Sequence, residues 1–159
     1  MTDRYFARVV CLVLFIVLGM LAKVSIAADA KNYQVVDGVA IYFGIIAAEI
    51  IRGHSKEHAE RKMHGGIPAG AHKDHLIIAL FDRVTGKRIT DAQVTVTVRE
   101  IGLAGETKKL EPMEIADTIT YGNYFDMPSR DTYRILIRIR RPGVPGEIEA
   151  GFMHKHFGK

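Results

Sequence analysis

The chain has 159 residues, 48% of them hydrophobic and 25% charged, which suits a domain with a buried core and excludes a mostly disordered chain. Its formal net charge of +4 comes without a basic stripe interleaved with aromatics, so nucleic acid is not an expected partner. The single cysteine, Cys11, falls in the N-terminal segment, leaving the rest of the chain without disulfides or thiolate metal ligands.

In that segment Arg4 and Arg8 precede an uncharged, largely apolar run over residues 9–22, whose 14 positions are too few to span a bilayer comfortably. The run reads as a secretory signal. Ser25-Ile26-Ala27 and Ala28-Asp29-Ala30 both offer the small-x-small pattern that signal peptidase accepts, placing the mature start at Ala28 or Lys31. The expected organisation is a signal peptide over 1–27 and a single domain over 28–159, with a His-rich loop at 53–72, in the periplasm or secreted. Losing Arg4, Arg8 and Lys23 together with Asp3 brings the net charge to about +2, so a basic pI carries little weight.

From residue 32 onward, short apolar runs are broken by turn residues at intervals, the pattern of an antiparallel all-β domain. Residues 33–36 and 39–43 flank Asp37-Gly38, a dipeptide suited to the positive φ angles of a two-residue hairpin turn. Residues 45–51 read as a further strand, although Ala47, Ala48 and Glu49 are helix formers. The chain then turns polar and glycine-rich, with a helical turn expected over 55–62. A loop of this length in a compact domain is usually functional or mobile.

Residues 75–81 and 92–98 alternate around an Asp82–Lys87 turn and read as a hairpin, with Val94, Val96 and Val98 on one face and threonines on the other. Residues 108–115 and 118–125 form a weaker pair. Tyr133, Ile135, Ile137 and Ile139 share one face of the next strand, which Arg140-Arg141-Pro142-Gly143 ends, and residues 147–157 make the last. Seven or eight strands suit an immunoglobulin-like antiparallel sandwich.

The seven histidines leave the middle of the chain, residues 76–153, empty. His54, His58, His64, His72 and His75 lie in or beside the long loop, and His154 and His156 near the C-terminus. Two residues apart on a strand, His154 and His156 project from one face and suit chelation of one ion; the alternative is a solvated strand end. His72 and His75, three apart, point to opposite faces, so one of them is expected to join the C-terminal pair unless a bulge intervenes. Asp74 shares a face with His72. His54, His58, Met63 and His64 are spaced for a helical turn or a flexible clamp, or for a loop that merely tolerates histidine. Imidazole with thioether and no cysteine points to copper, as Cu(I) or Cu(II), with zinc the second choice. No oxygen-rich pattern for calcium or magnesium is present.

From about residue 71 to 157 the order of His72, Asp74 and His75, then Met113, then Thr120-Tyr121-Gly122-Asn123, then His154 and His156 resembles the periplasmic copper-binding proteins associated with high-affinity ferrous iron uptake. In that family an early histidine with a nearby acid is followed by a methionine, a His-Tyr-Gly-x-Asn stretch and a late histidine. Here Thr120 stands at the position of the family's histidine, and the residue between glycine and asparagine is missing. The resemblance implies an immunoglobulin-like sandwich that binds copper, and raises Met113 from packing residue to ligand.

The leading reading is therefore a periplasmic copper-binding protein acting as carrier, buffer or accessory to metal transport. Its candidate ligands are His72, His75, Met113, His154 and His156, with His54, His58, Met63 and His64 as a second capture site. Its partners would be the metal ion and a membrane metal transporter or envelope protein, with pairing of exposed edge strands into a homodimer left open. The alternative is a non-metal interaction module of an envelope complex. An enzyme is not expected, because the chain lacks Gly-x-Ser-x-Gly, His-Glu-x-x-His and a reactive cysteine.

Overall fold

A computed structural model describes residues 32–53, 65–115 and 117–157. The segment read as a signal, the helical turn expected over 55–62, and His54, His58, Met63 and His64 lie outside the described residues. The order is β1 (Tyr33–Val36), β2 (Val39–Ala47), a short helix α1 (Ala48–Arg52), β3 (Lys73–Asp82), β4 (Gln93–Glu100), β5 (Glu106–Lys109), β6 (Glu111–Ile115), β7 (Thr118–Asp126), β8 (Thr132–Arg140) and β9 (Ile148–Lys155). Two antiparallel sheets result, β1-β2-β3-β7-β6 and β5-β4-β8-β9. The expected all-β sandwich is present, with nine strands among the described residues where the sequence suggested seven or eight. No helix among the described residues is long and apolar enough to cross a membrane.

Local chemistry explains the elements. Asp37 and Gly38 take φ of 46° and 76°, as a type I′ turn needs, and pin the β1–β2 register at Val36 opposite Val39. Alternation puts Ile41, Phe43, Leu76, Ile78 and Leu80 of the first sheet against Val94, Val96, Ile135, Ile137 and Phe152 of the second. Each is almost wholly buried.

Three readings of strand layout need correction. β3 and β4 are not a hairpin: β3 pairs with β2 and β7, while β4 pairs with β5 and β8. Alternation reveals which face is buried but not which strand is the partner, and these two strands face each other across the core. The stretch 108–115 is not one strand, because the chain changes sheets at Leu110. Its buried side chain and its N–H donated to the Val94 carbonyl at 2.8 Å form the crossing point. β6 carries Pro112, tolerated because β6 is the edge of its sheet. Residues 45–51 are half strand and half helix: β2 ends at Ala47, and helix formers take over. Ala48 and Ile51, three apart on α1, then bury together with Tyr124 on the outer face of the first sheet.

Candidate metal centre

Strand β3 sorts the candidate ligands. Successive side chains on a strand point to opposite faces, so Asp74, in step with Leu76 and Ile78, points into the mouth between the sheets, while His75 points to the outer face of the first sheet.

On the outer face His75 is fully buried. It stands opposite Tyr124 of β7 and stacks on that ring, the centroids 4.6 Å apart and the planes 24° from parallel. Met113, also buried, stands opposite Thr120 on the neighbouring β6–β7 pair, which puts it on the same face. Gly122 lies between them. A Cβ added there would meet Met113 Cε at 2.5 Å, His75 Nε2 at 2.8 Å and Met113 Sδ at 3.0 Å. One imidazole nitrogen and one thioether sulfur thus converge on a single point of bare backbone, in space that only glycine leaves open. Thr120, opposite Met113, is buried and its hydroxyl accepts a hydrogen bond from Arg88 Nη2 at 3.1 Å. Arg88 is further held by donating from Nε to the Ile119 carbonyl at 2.9 Å and by lying over the Phe81 ring.

At the mouth of the sandwich, His72, Asp74, His154, His156 and Glu49 line one cleft of about 300 Å³. His154 and His156 project from the same side of the chain as expected, with ring centroids 6.3 Å apart, while Met153 on the opposite side is exposed. His156 is fixed on both sides: its Nδ1 lies 3.0 Å from the Ser129 carbonyl and its Nε2 lies 3.4 Å from Asp74 Oδ2. Burial pushes the Asp74 carboxyl above the usual carboxylate range, Glu49 adding to the rise while His156 and His72 oppose it. Burial lowers the His154 pKa, and neighbouring His156 lowers it further, both favouring the neutral imidazole.

The five-residue candidate pool therefore divides. His72, His154 and His156 come together with Asp74; His75 goes with Met113 on the other side of the sheet. Among the described residues, no three His, Cys, Asp or Glu side chains are gathered into a ready-made metal cage. Sequence reasoning did not single out Glu49, Tyr124 or Ser129. Only the topology brings them to the two sites, and no local pattern marks them.

No family model matches the chain, and no curated protein matches it. Solved structures do. The copper-reconstituted P19 protein of Campylobacter jejuni is 14% identical over 80% of this chain and 94% of its own, with a TM-score of 0.62. A copper-bound variant of FetP from uropathogenic Escherichia coli strain F11 is also 14% identical, covering 80% of this chain and 95% of its own, with a TM-score of 0.60. A DUF4426 family protein from Pseudomonas aeruginosa PAO1 matches at 14% identity, 80% and 97% coverage, and a TM-score of 0.57. The likeness is one of fold, and it falls where the sequence resemblance pointed.

Proposed function

We propose that this is an exported copper-binding protein, a carrier, buffer or accessory to metal transport, that holds Cu(I) between His75 Nε2 and Met113 Sδ. The observation that carries the reading is the convergence of those two atoms on the bare backbone of Gly122. Imidazole and thioether are ligands that Cu(I) accepts and that hard cations refuse. Zinc fits this pair less well, since it prefers four ligands and favours nitrogen, oxygen and thiolate over thioether. The copper-bound state of two proteins with this fold supports the same choice. Tyr124 orients the His75 ring by stacking, and burial keeps competing water away from the sulfur. The metal ion is cargo in this reading, received in the periplasm and passed to a membrane transporter or another envelope protein.

The test is a competition titration of the purified protein with Cu(I). One ion per chain is expected, with the affinity reduced at least tenfold in both His75→Gln and Met113→Leu. Copper binding that is indifferent to both substitutions would sink the proposal.

A non-metal interaction module has its own observation in favour. At the opposite end of the same outer face, Tyr33, Tyr42, Phe81 and Arg83 line a cleft of about 450 Å³, and Tyr42 is nearly half exposed. Absence of Cu(I) binding would shift the function to that surface.

A further inference from the structure

The mouth between the sheets holds an imidazole nitrogen and a carboxylate oxygen aimed at each other. The Ser129 carbonyl can only accept, so His156 Nδ1, 3.0 Å away, must be the protonated nitrogen that donates to it. In the neutral ring this leaves Nε2 as a bare lone pair. That lone pair faces the Asp74 carboxylate at 3.4 Å, acceptor against acceptor. A cation shared between them, proton or metal, would satisfy both.

Three features favour the metal. Ligating histidines nearly always donate their other ring N–H to a carbonyl or carboxylate, which fixes the tautomer and aims the free nitrogen, and the Ser129 carbonyl does this here. The 3.4 Å gap is close to the separation of two ligands each about 2.1 Å from a tetrahedral ion. Finally, His72 and His154 line the same cleft, which is open to water for the remaining positions.

We infer that this mouth is a second cation site, separate from the His75–Met113 pair, in which Asp74 and His156 Nε2 chelate a divalent ion of borderline softness such as Zn(II) or Cu(II). The two sites select by chemistry. Carboxylate with imidazole suits the divalent ions, while thioether with imidazole suits Cu(I). They are separated by the thickness of one sheet, because their anchor residues are neighbours in β3 that point opposite ways.

Zn(II) alone is the probe. The purified protein is titrated against a chromophoric zinc chelator, in parallel with Asp74→Asn, His156→Gln and Met113→Leu, with near-ultraviolet circular dichroism confirming that each variant is folded. One Zn(II) per chain is expected, bound at least tenfold more weakly by Asp74→Asn and by His156→Gln and unchanged in Met113→Leu. Co(II) substituted for zinc should give the intense visible bands of a four-coordinate ion in the parent protein and lose them in His156→Gln. Zinc affinity unaltered in both mouth variants, or no zinc binding by the parent, overturns the inference and leaves a protonated imidazole paired with a carboxylate. Zinc lost in Met113→Leu overturns it too, by placing the ion on the outer face. Failure of the Cu(I) titration leaves these outcomes untouched, so the two readings fall separately.

Discussion

Asp74 and His75 are adjacent in sequence and belong to different chemistries. His75 is wholly buried against Tyr124, beside a methionine, on a face roofed by α1. Asp74 opens onto a cleft shared with three imidazoles. The outer pair is dry, soft and preorganised by packing; the mouth is wetter, charged and preorganised by hydrogen bonds. Period-two alternation on a strand lets one element serve both, and substitutions can break either without the other.

The largest effect is expected at Gly122. In Gly122→Val the added carbons fall where Met113 Cε, His75 Nε2 and Met113 Sδ already stand, so both donors must move apart. Overpacking of this kind costs about 1–3 kcal/mol, which a thermal melt reads. Cu(I) affinity should fall by about a hundredfold, or about 2.7 kcal/mol, while Zn(II) binding at the mouth stays as it was. Equal loss at both sites would mean that they are one.

The next substitution sharpens the contrast by adding a donor. Thr120 stands directly opposite Met113, and its hydroxyl accepts from Arg88. Thr120→His together with Arg88→Leu supplies a second imidazole and removes the guanidinium whose charge opposes a bound cation. Cu(I) should then bind about tenfold more tightly, a gain of about 1.4 kcal/mol. A competition titration that shows no gain would indicate that the outer face cannot present a third ligand.

Asp74 should show the opposite trade between stability and function. Its folded-state pKa is raised, mainly by burial, so the metal-free fold is penalised above that pKa and relieved as pH falls below the ordinary carboxylate value. Asn has the same shape without the charge. Metal-free Asp74→Asn is therefore expected to melt at a higher temperature than the parent at neutral pH, the difference shrinking as pH is lowered through the carboxylate range. A lower melting temperature at every pH would show that the carboxylate supports the fold through its ion pair rather than weighing against it.

How far the sequence could be read depends on which physical signal each feature uses. Alternation in Val94, Val96 and Val98 and in Ile135, Ile137 and Ile139 announces strands with one buried face, and Asp37-Gly38 announces its hairpin, because both signals are local. Partnership is not local. β3 and β4 looked like a hairpin because a turn joins them, yet each buries its apolar face against the other from opposite sheets. Histidine clustering picked out two stretches of the chain, and the two-residue spacing placed His154 and His156 on one side, where both line the mouth cleft. What the spacing could not supply was the depth of each face. His75 proves to be the buried neighbour of Met113 and not of the C-terminal histidines, and the Ser129 carbonyl that aims His156 leaves no mark in the sequence at all.

The smallest expected effect lies one step behind that carbonyl. Tyr133 Oη accepts the Ser129 N–H at 3.1 Å, and the Tyr133 ring meets His156 edge to face at 6.0 Å. Tyr133→Phe keeps the ring contact and deletes the acceptor. A single hydrogen bond of this kind is worth about 1 kcal/mol, so a small drop in melting temperature follows. Groups that hydrogen-bond a ligating histidine directly change metal affinity by roughly 10–100-fold. Tyr133 is one bond further removed, and the His156 N–H still donates to the Asp131 carbonyl at 2.9 Å, holding the backbone in place. Zn(II) binding should therefore weaken only by about threefold, with Cu(I) binding unaltered. A change in Cu(I) binding as large as that in Zn(II) would show that the sheet between the sites transmits strain, and that the two faces of β3 are not independent.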